Sequence, residues 1–228
     1  MIELPEETEP LTDQELADLP VFPLPRVVFF PGSTLPLHLF EERYREMMED
    51  CVSKGPMAMA VTLLRGDWED DYEGSPEIHE IAGAGRILDW QRRDDGRFDL
   101  LLHGLSRVKL EELPTEGLSY RRAKAVRLDD RVTHPDAIQK LTTPVIATAS
   151  SVVALVRERY PDFHLGIEAS TPPGVLADRI ADRLVSEPAV RQQLLEAVDV
   201  KVRLARVHDA LVDMLAELRS SGHGGALH

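Results

Sequence analysis

Cysteine is nearly missing from this chain: Cys51 stands alone, so no disulfide can form within it. Glycine is never followed by lysine, which removes the G-x-x-x-x-G-K-[ST] loop whose backbone N–H groups wrap phosphates while the lysine neutralises their charge. ATP hydrolysis by that route is excluded. No G-x-S-x-G elbow presents a nucleophilic serine, and the five lysines, Lys54, Lys109, Lys124, Lys140 and Lys201, lie near no peptidase motif. The eight histidines are scattered singly, without H-x-x-x-H or C-x-x-C spacing, so no side-chain pair is preset for zinc. The start Met-Ile-Glu-Leu-Pro lacks the basic and apolar regions of a secretory signal, and the expected compartment is the cytoplasm. The longest uncharged run, between Lys140 and Arg157, falls short of the ~20 predominantly apolar residues of a membrane-spanning helix and reads as a buried core helix.

What is present is acid. The net charge is −14, and Glu3, Glu6, Glu7, Glu9, Asp13, Glu15 and Asp18 crowd the first 18 residues with no Lys or Arg among them. The remainder keeps 33 acidic groups (40 less those 7) against 26 basic ones, so the folded part would repel a phosphate backbone. The one basic stripe, Arg92, Arg93, Arg97, Arg121, Arg122 and Lys124, is interrupted by Asp94 and Asp95, and no nucleic-acid partner is expected. The acidic run Asp67, Glu69, Asp70, Asp71, Glu73 has Tyr72 where a calcium loop needs Gly and Ile78 where it needs a bidentate Glu, so it reads as a solvated loop. No metal and no cofactor is expected.

Four segments follow from the patterning: an acidic tail over 1–18, a β-rich subdomain over 19–130, a helical bundle over 131–219 and a flexible end over 220–228. Val21 to Phe30 mixes apolar residues with Pro23 and Pro25, which favours short or edge strands because proline donates no ladder bond. Phe40, Tyr44, Met47, Met48 and Cys51 recur at spacings of three and four, the apolar stripe of a helix stopped by Lys54-Gly55-Pro56. Ile78–Trp90 and Phe98–Leu110 read as a hairpin turning at Asp94-Asp95-Gly96, with Trp90 in the core. Tyr120–Leu128 reads as the last strand. Beyond Arg131 the period becomes helical: Val145–Arg159, a helix capped by Thr171 to about Leu184, another from Ser186-Glu187-Pro188, and one capped by Asp199 with Val200, Leu204, Val207, Leu211, Met214 and Leu218 on one face. Strands first and helices second make an α+β protein without a Rossmann-like sheet, and Gly83-Ala84-Gly85, lacking a third glycine at Leu88, reads as a tight strand start.

The stretch Leu19 to Met48, L-P-V-F-P-L-P-R-V-V-F-F-P-G-S-T-L-P-L-H-L-F-E-E-R-Y-R-E-M-M, closely resembles the opening of the Lon N-terminal domain, the substrate-recognition part of the ATP-dependent Lon proteases. The resemblance is strongest to short bacterial proteins made of that domain alone. Glu80–Ile87 and Asp95–Val108 are similar to the family's "G-x-x-x-x-I … D-G-x-x-x-x-x-x-G-x-x-R" hairpin, and Leu176–Ala181 and Leu194–Leu204 to its last helices. Pro25-Arg26-Val27 stands where the proteases typically carry Leu-Arg-Asp. The resemblance implies a β-rich pseudo-barrel of the PUA-like kind followed by about four helices. It also implies a non-enzymatic protein-binding module, lacking the ATPase and Ser-Lys peptidase modules. Its partners would be unfolded or partly folded client proteins or, alternatively, one dedicated protease or ATPase served as an adaptor; no membrane partner is implied.

The candidate contact residues are Phe30, Pro31 and Leu35 in an apolar, proline-flanked loop and Trp68 and Tyr72 in the acidic one. Phe29 and Phe30 point to opposite sides of an extended chain, so at least one belongs to the core. Cys51 reads as a packed core thiol. Glu41, Arg43 and Tyr44, inside the matched motif, carry no assigned chemistry.

Overall fold

A computed structural model describes residues 9–66, 68–71, 74–115, 117–168 and 170–222, with only the backbone described at 70, 71, 221 and 222. The chain divides into two compact units, Met1–Asp129 and Asp130–His228. The fold is α+β, a mixed six-stranded sheet followed by helices.

The first unit begins with a short helix, α1 (Asp13–Ala17), closed by a capping box: the Glu15 N–H donates to Thr12 Oγ1 and the Thr12 N–H donates to Glu15 Oε2 at 2.7 Å. The expected acidic tail is therefore folded over its second half. Leu11 and Leu16 are buried, Glu15 pairs with Arg86 at 2.8 Å and Asp18 with Arg122 at 2.6 Å, so each of these two carboxylates meets a guanidinium of the sheet.

The sheet runs in the order β2 (Thr34–Leu39), β5 (Phe98–Glu112), β4 (Ile81–Arg92), β3 (Ala58–Leu63), β1 (Leu19–Leu24), β6 (Arg121–Leu128). β5 is long enough to serve two partners on one side: Phe98–His103 pairs with β2, and Arg107–Glu112 pairs with β6, which closes the sheet on itself. β1 lies parallel to β3 and antiparallel to β6, not at an edge, and is buried on both faces. Pairing with β6 stops at Val21, so Pro23 lies beyond it, while Pro20 sits within it opposite Arg122. The β4–β5 hairpin turns at Arg93–Arg97 with Gly96 at φ 82°, the positive angle the tight turn requires.

Helix α2 (Glu42–Lys54) buries Tyr44, Met47, Met48 and Cys51 against Phe98, Leu100 and Leu102 of the sheet. A separate core gathers Leu11, Leu16, Leu19, Val21, Val108 and Ala123. Phe40, expected on the α2 stripe, is 60% exposed, because the helix begins two residues after it.

The second unit holds α3 (Pro135–Arg159), α4 (Pro173–Leu184), α5 (Pro188–Glu196) and α6 (Val200–Gly222). α6 buries Val200, Leu204, Val207 and Leu211 and packs on α3 and α4. Asp199 accepts from the Val202 N–H at 3.2 Å, the N-terminal arrangement its position implied. Thr171 does not cap α4; Pro172 holds that position, and the Thr171 hydroxyl oxygen accepts from the Glu168 N–H at 3.0 Å. α3 starts ten residues before Val145 and runs through Pro144. It is also not a buried core helix: only Ile138, Val145, Ala149 and Val152 are buried, one stripe. By length and composition it is long and apolar enough to cross a membrane, and 22% of its most apolar window is buried within the protein.

Candidate functional site

The sequence-derived contact residues are not brought into one surface. Phe30 is fully buried, as is Phe29, so the proline-flanked loop keeps both rings inside. The reason lies in two glycines across the sheet. A Cβ at Gly83 would sit 1.9 Å from the Phe29 carbonyl oxygen, and one at Gly104 2.1 Å from that of Phe30, so the loop backbone presses directly on the β4–β5 hairpin. Gly104 then exchanges hydrogen bonds with Gly32 and Ser33 at 2.8 and 2.9 Å. Pro31 and Leu35 are half-buried, and Leu35 packs on the α2 core. Trp68 is half-buried against the other core, and Tyr72 lies outside the described residues.

Among the described residues, the exposed large apolar side chains of the β unit are Phe40, Val52, Trp90 and Val126. Trp90, expected in the core, is 38% exposed at the hairpin end, where it packs on Phe98 with ring centroids 6.0 Å apart. A register shift between Ile87 and Asp89 sets it opposite Leu100, near the turn where the core thins out. Phe40 stacks on His38, whose Nδ1 lies 2.6 Å from Asp99 Oδ1; His38 and then Arg93 hold the Asp99 carboxyl below its usual range. Burial, and secondarily Asp50, pushes the Cys51 thiol up to about 12, which removes the thiolate a nucleophile needs. Among the described residues no group of three or more His, Cys, Asp or Glu could hold a metal ion.

A coherent apolar surface exists in the helical unit, which periodicity did not single out. A groove of about 600 Å³ is lined by Val132, Pro135, Ile138, Thr142, Pro172 and Val175 among others, and Val132 and Val175 are 59% and 38% exposed. Asp130 is its charged lining residue, and it is locked: both carboxylate oxygens lie 2.7 Å from Arg203 Nη2. Arg203 is fully buried, donates to the Ala197 carbonyl at 2.8 Å, and forms an ion pair with Asp178 at 3.2 Å. Breaking such a buried network by removing one partner costs ~3–5 kcal/mol. Gly174 belongs to the same device, since a Cβ there would meet Asp130 Oδ2 at 2.0 Å. The groove therefore offers apolar walls over a neutralised base. Beside it, residues 141–156 of α3 carry no charge, and much of their outer face is exposed.

With this geometry established, comparison with known proteins decides the family. The profile of the ATP-dependent protease La (LON) substrate-binding domain matches residues 18–213. The chain belongs to the Lon substrate-binding domain family. The Lon protease of Anaeromyxobacter dehalogenans is 30% identical over 196 residues, which is 86% of this chain and 23% of that protein. Lon protease 2 of Myxococcus xanthus is 28% identical, over 85% of this chain and 23% of its own length. The chain thus spans about a quarter of these Lon proteases, and neither an ATPase nor a peptidase domain is matched.

The fold is that of solved Lon N-terminal domains. The N-terminal domain of the Mycobacterium avium complex Lon protease superposes with a TM-score of 0.66 at 16% identity, covering 86% of this chain and 98% of that one. The Lon N-terminal domain protein from Xanthomonas campestris gives 0.55 at 23% identity, covering 83% and 96%.

Proposed function

We propose that this Lon-type domain is a protein-binding module without catalysis of its own, holding uncharged apolar segments of unfolded or partly folded proteins. The observation that carries this reading is the groove of the helical unit, whose walls are Val132, Ile138, Val175 and Val200 and whose charged base is already paired. Among the described lining residues an extended apolar segment meets no unpaired charge, because Asp130 is already matched by Arg203. A groove of this size takes only a few side chains, so affinity for a short peptide is micromolar or weaker. The net charge of −14 argues against nucleic acid and anionic membranes as partners, and the cytoplasm is the compartment proposed.

The test is a titration of a permanently unfolded, fluorescently labelled polypeptide. Saturable binding in the micromolar range is expected, and V175E should weaken it about tenfold, equivalent to ~1.4 kcal/mol. No binding at high micromolar concentration would remove the proposal. One observation favours a second reading, an adaptor for a single folded partner such as a protease or ATPase: the uncharged outer face of α3 is broader than a peptide needs. Capture of one partner at fixed stoichiometry, undisturbed by V175E, would select it.

A further inference from the structure

Helix α3 turns its inner stripe, Ile138, Val145, Ala149 and Val152, into the helical unit, where Thr148 Oγ1 lies 3.3 Å from His208 Nε2 of α6. The opposite stripe, Lys140, Pro144, Ala147, Ser151, Ala154 and Glu158, is exposed along its whole length. Its members alternate spacings of four and three, the pattern of a seam along which one helix packs on another. The two end members are charged and opposite in sign. Those between them are compact, so the axis of a second helix can come close.

The seam is also complementary to itself. Turned end for end about Ala149, it sets Lys140 against Glu158, Pro144 against Ala154 and Ala147 against Ser151, because each of these pairs is centred on that residue. Two copies related by a two-fold axis there present the same patch to each other and meet opposite charges at both ends. A parallel pairing would instead set Lys140 on Lys140 and Glu158 on Glu158, which repel. Among the described residues neither the Lys140 nor the Glu158 side chain has an ion-pair or hydrogen-bond partner. The neighbouring cations are engaged within their own chain: Arg157 donates through Nε to the Phe163 carbonyl at 2.8 Å and lies 2.8 Å from His164 Nδ1, and Arg159 sits 5.8 Å from the centroid of the Tyr160 ring. Glu158 is thus the charge that the seam offers at that end.

We propose that two copies of this chain associate through α3, antiparallel, with two Lys140–Glu158 pairs bracketing a close Ala147–Ser151 centre. Two molecules of net charge −14 repel one another in general, and the uncharged stretch 141–156 is where that repulsion is locally least. From Lys140 to Glu158 the seam is ~27 Å long at the rise of an α-helix. One helix pair of that length stays below the ~800 Å² per partner of a standard interface, so the dimer is reversible and micromolar. The inference does not depend on the peptide-binding reading, because the seam includes none of the groove's Val132, Ile138 and Val175. It places a second copy on the face where the adaptor reading places a different folded protein.

Sedimentation of the full chain from low to several hundred micromolar tests this, with the mass expected to rise from 25.5 kDa toward twice that value. K140E makes both ends of the seam acidic and E158K makes both basic, turning two exposed ion pairs into two like-charge contacts. Each variant alone should associate about tenfold more weakly, and an equimolar mixture of the two should associate at least as tightly as the native chain. Both positions are exposed, so neither change touches the core. A chain that stays at 25.5 kDa throughout overturns the inference and leaves the face to a different partner. A dimer that both variants preserve overturns it as well, since the contact then lies elsewhere. Weakening in each variant without recovery on mixing also overturns it, because the antiparallel pairing requires that rescue. Whether an unfolded polypeptide binds, and whether V175E weakens it, is read separately and decides the other reading.

Discussion

Glu15 shows how one residue can serve two structures at once, closing the N-terminus of α1 and pairing with Arg86 of β4. The Arg86 guanidinium first, and then the Thr12 N–H and hydroxyl, outweigh partial burial and hold its carboxyl down from the usual 4.5 to about 2. The folded state thus keeps Glu15 ionised where the unfolded chain has taken up a proton. Its contribution is complete above about pH 4.5 and is lost as pH falls toward 2. Melting temperatures of the native protein and E15Q, measured across this range, should differ most at neutral pH and converge in acid. A gap that stays constant from pH 7 to about 2 would show that the ion pair does not stabilise the fold.

α3 carries its proline in mid-helix. Pro144 has no N–H for the carbonyl four residues back, yet the helix continues unbroken from Pro135 to Arg159, held by the buried stripe Ile138, Val145, Ala149 and Val152. Tertiary packing here overrides local propensity, which is why the composition around Pro144 suggested a start at Val145. The side chain at 144 is exposed, so P144A removes no core contact and restores the missing bond. Urea denaturation of P144A should show a gain of ~1–3 kcal/mol. A loss instead would mean that the backbone conformation Pro144 imposes is needed to seat α3 on α6.

At the scale of the whole chain, the net charge of −14 contrasts with the proposed groove, whose charged lining residue is paired. The influence of an exposed charge beyond ~8 Å is screened at physiological ionic strength, and the groove lined by Val132 and Val175 has its Asp130 already matched by Arg203. Affinity for an uncharged apolar polypeptide should therefore hold or strengthen as salt is raised, while any binding of a polycationic peptide should fall steeply. Titrations of the two at low and high salt check this, and a steep loss for the apolar polypeptide would place its site on the charged surface.

The residues alone determined the family, the order of strands before helices, the Asp94-Asp95-Gly96 hairpin and the Asp199 start of α6, because turn chemistry and periodicity act over a few neighbouring positions. The buried fate of Phe30, the exposure of Phe40 and Trp90 and the folding of Leu11–Asp18 onto the sheet were not legible there. Each depends on a partner far along the chain: Gly83 and Gly104 for the Phe29-Phe30 backbone, a register shift for Trp90, Arg86 and Arg122 for the acidic segment. The groove gathers residues from around 130, 140, 172 and 200, and the outer stripe of α3 is set by the burial of Ile138, Val145, Ala149 and Val152 on the other side. Only the packed chain could decide those surfaces, since exposure is a property of what covers a side chain and not of the side chain itself.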